Sequence, residues 1–95
     1  MQLDISDEAR GDLARLHDYG AEHFGPLAAD SYLLELLETM DRIVDWPLSA
    51  ELRNEISPPV RLLVYGAHYI FYEVGADEIT LVRVLHYAVD WKNLL

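Results

Sequence analysis

The chain has 95 residues, a length that suits one domain and leaves no room for a second. Hydrophobic residues make up 52% and charged residues 25% of it, a globular composition that excludes a disordered or low-complexity chain. Seven Lys and Arg against seventeen Asp and Glu give a net charge of −10, which argues against broad electrostatic attraction to nucleic acid or to an anionic membrane.

Cysteine is absent, so the chain has no disulfide framework, no thiolate nucleophile and no cysteine-ligated zinc. The first ten residues lack the apolar run of a signal peptide. No stretch approaches the ~20 apolar residues that a membrane span requires. These features predict a cytoplasmic protein of one domain, residues 1–95.

The N-terminal region predicts a short strand followed by a helix. Residues 2–5 alternate polar and apolar side chains, as an edge strand does. Ser6 stands where a helix N-cap belongs, and the helix is expected to end at Phe24. Its apolar stripe comprises Ala9, Leu13, Leu16, Gly20 and Phe24. Its opposite, solvent-facing side is expected to carry Arg10, Asp12, Asp18 and Glu22.

The second helix is the clearest periodic segment. Gly25-Pro26 ends the first helix, and residues 27–45 then repeat apolar side chains at intervals of three and four. Helices joined by about two residues must fold back on each other as a hairpin. Pro47 ends the second helix, because it moves Trp46 out of the α region.

The remainder of the chain changes to strand periodicity. Residues 48–59 are polar and bounded by prolines, which predicts a loop. Short turns separate three β-rich runs, at 60–65, 68–74 and 79–86. The predicted fold is α+β: an N-terminal short strand, a helical hairpin, then a three-stranded antiparallel meander with the helices on one face.

The three runs are apolar on both faces, whereas a sheet covered on one side should alternate. One helical hairpin can shield only one face. Either the C-terminal tail folds over the second face, or a partner chain supplies the second cover, since monomeric proteins avoid large exposed apolar patches. The sequence leaves both interpretations open.

Motifs for metal or cofactor chemistry are absent. The four histidines, His17, His23, His68 and His86, lack metal-ligand spacing. The sequence also lacks the glycine patterns of nucleotide-binding loops and nucleophile elbows. We therefore expect no metal and no cofactor.

Polar side chains interrupt the apolar sheet near its end: Arg61, Arg83, His86, Tyr87 and Asp90. Arg83 is expected to share a strand face with Ile79, Leu81 and Leu85. One interpretation is a structural pair between arginine and a carboxylate. The other is a basic, imidazole-bearing patch that binds phosphate and performs acid–base chemistry on RNA.

Two stretches carry a distinctive pattern, YIFYEV at 69–74 and ITLVRVLH at 79–86, followed by Asp90 and Trp91. In them, and over essentially its whole length, the chain resembles the ParE toxins of the RelE/ParE superfamily. The N-terminal half fits as well, with Asp12-Leu13, Tyr19 and Tyr32.

The resemblance implies the toxin of a bacterial type II toxin–antitoxin system, held inactive by a ParD-like antitoxin whose C-terminal segment wraps it. ParE-type toxins inhibit DNA gyrase rather than cleave RNA. By this resemblance, seven residues that match the family's motif are candidates for binding the partner or the target: Arg61, Tyr65, Phe71, Arg83, His86, Asp90 and Trp91.

Two alternatives remain. In a RelE-like ribosome-dependent mRNA interferase, the catalytic residues would be Arg61, Arg83, His86 and Tyr87. The net charge of −10 favours the ParE interpretation, because such a chain is repelled on approach to mRNA. The other alternative is a non-toxic module that only binds its antitoxin. The same charge predicts a basic toxin-binding segment in a charge-complementary antitoxin.

Overall fold

Two helices pack against one face of a five-stranded sheet in the computed structural model, which describes residues 1–95. The elements are β1 (Gln2–Ile5), α1 (Asp7–Phe24), α2 (Pro26–Asp45), β2 (Glu51–Arg53), β3 (Val60–Tyr65), β4 (His68–Val74) and β5 (Glu78–His86), followed by a 3-10 turn at Trp91–Asn93. The predicted α+β class is confirmed. Neither helix is long and apolar enough to cross a membrane.

The sheet has the order β1-β5-β4-β3-β2. The predicted antiparallel meander is present as β3, β4 and β5, and β1 pairs parallel to β5 at one edge. The other edge is β2, which lies inside the predicted loop 48–59, so that part of the prediction is wrong. A strand of three residues is too short to show alternation, and its pairing with β3 defines it.

The helical hairpin follows from local chemistry at its ends. The Ser6 hydroxyl accepts a hydrogen bond from the Ala9 N–H at 3.1 Å and caps α1. Gly25, at φ 95°, links the helices in a conformation that side chains disfavour. The helices approach closely at Gly20, where a Cβ atom would lie 3.3 Å from the Ala29 Cβ.

A β-bulge divides β5. Leu81 and Arg83 pair with adjacent residues of β4, so Val82 is an extra residue between them. The expectation that Arg83 shares a face with Ile79, Leu81 and Leu85 is therefore wrong. Ile79 and Leu81 pack in the core beneath the helices, whereas Leu85 packs on the opposite face.

The C-terminal tail covers the second face of the sheet. Trp91 packs on Phe71 with ring centroids 5.3 Å apart, and Phe71 is fully buried. Ile56 from the loop before β3 joins the same cluster, and Leu95 packs against it. Of the two interpretations of the apolar surplus, the structure supports the one in which the tail folds over this face.

We predict that Trp91→Ala lowers the free energy of unfolding by about 3 kcal/mol, because it empties the cover over Phe71. Leu94→Ala is the control, since half of that side chain is already exposed, and it should change stability by about 0.5 kcal/mol or less. Urea unfolding followed by far-UV circular dichroism measures both. Equal effects of the two substitutions would show that the tail does not hold this face.

Candidate partner-binding groove

An open, mainly apolar groove lies between the helical hairpin and the end of the sheet. Its volume is about 860 Å³. The lining comprises Asp12, Arg15, Leu16, Tyr19, Gly20 and Phe24 of α1, Ala28, Ala29 and Tyr32 of α2, and Ala67, His68, Val84, Leu85 and His86 of the sheet end. The volume lies within the range of ligand sites, and the opening leaves apolar side chains in contact with solvent.

The shortness of β1 creates the groove. β1 pairs with β5 only as far as Leu81, so α1 runs beside the rest of that edge. The Ser6 hydroxyl donates to the Val82 carbonyl at 2.8 Å, and the Asp12 carboxylate accepts from the Val84 N–H at 3.0 Å. Side chains of the α1 region therefore bond to the β5 edge beyond the end of β1.

Asp12 is buried and fully hydrogen-bonded. Arg83 donates to both of its carboxylate oxygens, from Nε at 2.7 Å and from Nη2 at 2.9 Å. Arg15 donates to Oδ1 at 2.9 Å. Asp12 is only 5% exposed, so the expectation that it faces solvent is wrong. The Arg83 guanidinium and the Val84 N–H, both contributed from far along the chain, are the physical reason.

The hydrogen bonds keep this carboxylate ionised. Burial alone would raise the pKa of Asp12, but hydrogen bonds from two arginines and one backbone N–H outweigh burial and hold the pKa below its usual value. An aspartate with a lowered folded pKa stabilises the fold above its unfolded pKa, and that stabilisation is lost as the pH falls through the folded value. The carboxylate is therefore a structural anchor at neutral pH.

A tyrosine and two histidines form the far end of the groove. The Tyr32 hydroxyl accepts from the Ala67 N–H at 3.1 Å and lies 2.7 Å from His68 Nδ1. This contact requires Gly66, whose φ is +54° and whose added Cβ would lie 2.5 Å from the hydroxyl. The His68 and His86 rings meet edge to face, with centroids 5.7 Å apart.

The environment of His68 disfavours its charged form. Burial is the larger cause of its lowered pKa, and the neighbouring imidazole of His86 lowers it further. His86 is exposed, and its Nδ1 accepts from the Ala88 N–H at 3.1 Å. At neutral pH the inner histidine is therefore uncharged and packs as part of the groove wall.

The four residues of the interferase alternative do not meet in one cavity. Arg61 donates to the Ala50 carbonyl at 2.7 Å and borders a separate cavity of about 350 Å³. Arg83 is bound to Asp12. His86 lies on the groove, with the Tyr87 ring centroid 4.5 Å away.

The other candidates are spread over the sheet. The Tyr65 hydroxyl donates to Glu35 at 2.6 Å, and this bond raises the pKa of Tyr65 to about 12. Phe71 and Trp91 are buried on the second face. Asp90 is exposed and accepts from the Asn93 amide at 2.6 Å. Of the seven candidates, His86 alone lines the groove.

Four residues of this site were not predicted to lie together: Asp12, Arg15, Tyr32 and His68. One signal was present in the sequence. Asp12 stands three residues after Ala9 and four before Leu16, so helical spacing places it on the apolar stripe. A carboxylate in that position indicates a buried partner, and Arg83 is one of the few cations available.

A model of the family described as the ParE toxin of the type II toxin–antitoxin system parDE matches residues 3–91. The chain belongs to the ParE toxin family. It is 36% identical over 87 residues to Toxin ParE1 of Mycobacterium tuberculosis, covering 90% of this chain and 89% of that one. Toxin ParE1 of Caulobacter vibrioides is 28% identical over 86 residues, covering 90% and 88%.

A solved structure has the same fold. The chromosomal ParDE TA system from P. aeruginosa contains a chain that superposes with a TM-score of 0.77 at 22% identity, covering 90% of this chain and 95% of that one. The family model and the sequence relatives confirm the predicted ParE resemblance over nearly the whole chain. The protein is a ParE-type toxin of a type II toxin–antitoxin system.

For this ParE-family chain we predict that Asp12→Ala lowers the free energy of unfolding by about 3 kcal/mol, because it leaves the partly buried Arg83 guanidinium and the buried Val84 N–H without their acceptor. Asp18→Ala removes an exposed carboxylate from the same helix and should change stability by about 0.5 kcal/mol or less. Thermal and urea unfolding measure both. A small effect at Asp12 would contradict its role as an anchor.

We also predict that the protein loses stability as the pH falls below about 6.5, the ordinary histidine value. Because the folded pKa of His68 is lowered, the unfolded chain binds the proton more readily, and acidification favours unfolding. His68→Asn retains an acceptor near the Tyr32 hydroxyl but does not titrate, so its unfolding free energy should vary less between about pH 7.5 and 5.5. His23→Asn, at an exposed position, should keep the wild-type slope. An unchanged slope for His68→Asn would refute this assignment.

Proposed function

We propose that this ParE-family toxin inhibits DNA gyrase and that a ParD-like antitoxin neutralises it by occupying the groove between the helical hairpin and the sheet end. The observation that carries the proposal is the open apolar groove in a chain whose other sheet face is already covered. Membership of the ParE family supports the same proposal, and the choice of gyrase as the target comes from the family resemblance.

The exposed apolar side chains support the antitoxin part of the proposal. Phe24 is 73% exposed and Tyr19 is 59% exposed, and both line the groove. Tyr19 stacks on His23, whose ring centroid lies 6.4 Å from that of Phe24, so the exposed rings form one patch. Large exposed apolar patches on monomeric proteins mark interaction sites. Aromatic residues supply much of the binding energy at protein interfaces, so a polypeptide seated on these rings would gain affinity.

The arrangement of the charged residues favours a protein target over RNA cleavage. Arg83 is held by Asp12, and Arg61 borders a different cavity from His86. No acid–base pair beside a phosphate site is assembled from these residues. The net charge of −10 also opposes approach to the ribosome, which supports gyrase inhibition over an interferase activity.

We assign the candidate residues accordingly. His86 and the exposed Tyr87 would contact a partner at the groove, and Arg61, Tyr65 and Asp90 would remain available to the target on the other surfaces. Phe71, Trp91 and Arg83 would contribute by holding the sheet and its cover in place. Gyrase acts on the bacterial chromosome, so the proposal places the toxin in the cytoplasm.

Controlled expression in a bacterial host tests the proposal. We expect growth arrest with filamentation and a DNA damage response, inhibition of supercoiling by purified gyrase, and rescue by the protein encoded in the adjoining reading frame. Rapid loss of translation with cleaved mRNA would instead indicate an interferase. Absence of any phenotype would indicate a non-toxic binding module.

A matched pair of variants tests the groove within that experiment. Phe24→Ala should weaken antitoxin binding by about tenfold or more, because it removes an exposed ring from the groove. Leu34→Ala removes a comparably exposed side chain that does not line the groove and should bind like wild type. Equal affinities for both variants would place the antitoxin elsewhere on the surface.

A further inference from the structure

We infer that Arg15 recognises a carboxylate side chain in the apolar antitoxin segment that occupies the groove. The inference rests on the proposed function and adds the chemistry of the partner. It assigns Arg15 as a specificity-determining contact at a position that the sequence motifs did not single out.

The groove lining lacks the acidic excess of the chain. Asp and Glu outnumber Lys and Arg by seventeen to seven, yet the groove lining contains one carboxylate, Asp12. Two guanidinium groups, those of Arg15 and Arg83, are bonded to that single carboxylate. Within the lining, the charges of Asp12 and Arg15 cancel, and Arg83 behind it is offset by Glu8, so an acidic side chain meets less repulsion here than a net charge of −10 would suggest.

Arg15 is held at the mouth of the groove with most of its donors free. Its side chain is 70% exposed, and its one hydrogen bond within the chain goes to Asp12. Gly11 provides the space for this arrangement, because a Cβ there would lie 3.2 Å from both terminal nitrogens of Arg15. The guanidinium is therefore positioned before a partner arrives, which reduces the entropy lost on binding.

A partner that covers the groove must supply an acceptor to this guanidinium. Asp12 already receives four hydrogen bonds and has no lone pair left for a second one from Arg15. Burying an arginine under an apolar segment without a new acceptor is costly. A carboxylate matches the planar fork with two parallel hydrogen bonds, which are among the strongest that side chains make.

The occupant is a polypeptide recognised by its side chains. The groove includes the apolar side chains of Leu16, Ala29 and Val84, which suit apolar side chains rather than a phosphate backbone. The Val84 N–H, on the edge of β5 that β1 leaves unpaired, is buried and already bound to Asp12, so it is not free to pair with a partner strand. Whereas the net charge predicts a basic toxin-binding segment, the groove selects an acidic side chain at the position that meets Arg15.

The test uses the full-length toxin and, as the probe, the protein encoded by the adjoining reading frame. Arg15→Gln should weaken binding by about 10- to 100-fold, as loss of a charge-assisted contact does. Arg10→Gln removes the same charge from an exposed position of α1 outside the groove and should bind like wild type. Thermal unfolding of the free variants separates an effect on binding from one on the fold.

A charge reversal identifies the partner group. Arg15→Glu should bind weakly, and replacing one carboxylate residue of the antitoxin segment by Lys should restore at least about tenfold of the lost affinity. If no replacement restores it, or if Arg15→Gln and Arg10→Gln bind equally, the inference is overturned while antitoxin binding itself stands. If the wild-type toxin does not bind the antitoxin, the proposed function fails with it. If Arg15→Gln weakens binding to a single-stranded RNA oligonucleotide but leaves binding to the antitoxin unchanged, Arg15 contacts phosphate. That result would also overturn the inference.

Discussion

The contact between Asp12 and Arg83 joins the helical hairpin to the strand at the groove. It links residues 71 positions apart through two hydrogen bonds and is nearly sealed from water at the carboxylate. Separating the two members of such a buried pair leaves an uncompensated charge. The pair therefore holds α1 and β5 in a fixed relative position. The Val84 N–H adds a third bond to the same carboxylate and fixes the β5 edge against α1.

The groove depends on this anchor together with the shortness of β1. A longer β1 would cover the β5 edge beyond Leu81, whereas here Ser6 and Asp12 supply the bonds to that edge. Side chains satisfy the strand's polar groups without filling the space above them. The result is an apolar channel with aromatic side chains at its rim and a guanidinium at its mouth, a surface suited to a peptide segment.

Sequence periodicity was sufficient for the helices, for β1 and for the strands of the meander, because each of these depends on local spacing. It was insufficient for β2, which has only three residues and depends on pairing with β3. It also misassigned Arg83 to the face of Ile79 and Leu81, since a bulge at Val82 changes the parity of the strand and depends on the pairing with β4.

The candidate site was predicted only in part. The motif identified His86, which lines the groove, but it also included Phe71 and Trp91, whose apolar surfaces are buried against each other. Asp12 was assigned to solvent because charged residues on a helix usually face water, and its partner lies far along the chain. The strands are apolar on both faces, as the sequence indicated. The C-terminal tail covers the second face, and the apolar surface that stays open lies beside the helical hairpin.

Hydrogen exchange of the toxin, alone and bound to the protein encoded beside it, tests the central claim most directly. We expect binding to slow exchange in the C-terminal half of α1 and around Ala67 and His86, with no change at β2 or in the tail from Trp91. Slowed exchange confined to β2 and the tail, with the α1 segment unchanged, would contradict the assignment of the groove as the antitoxin site.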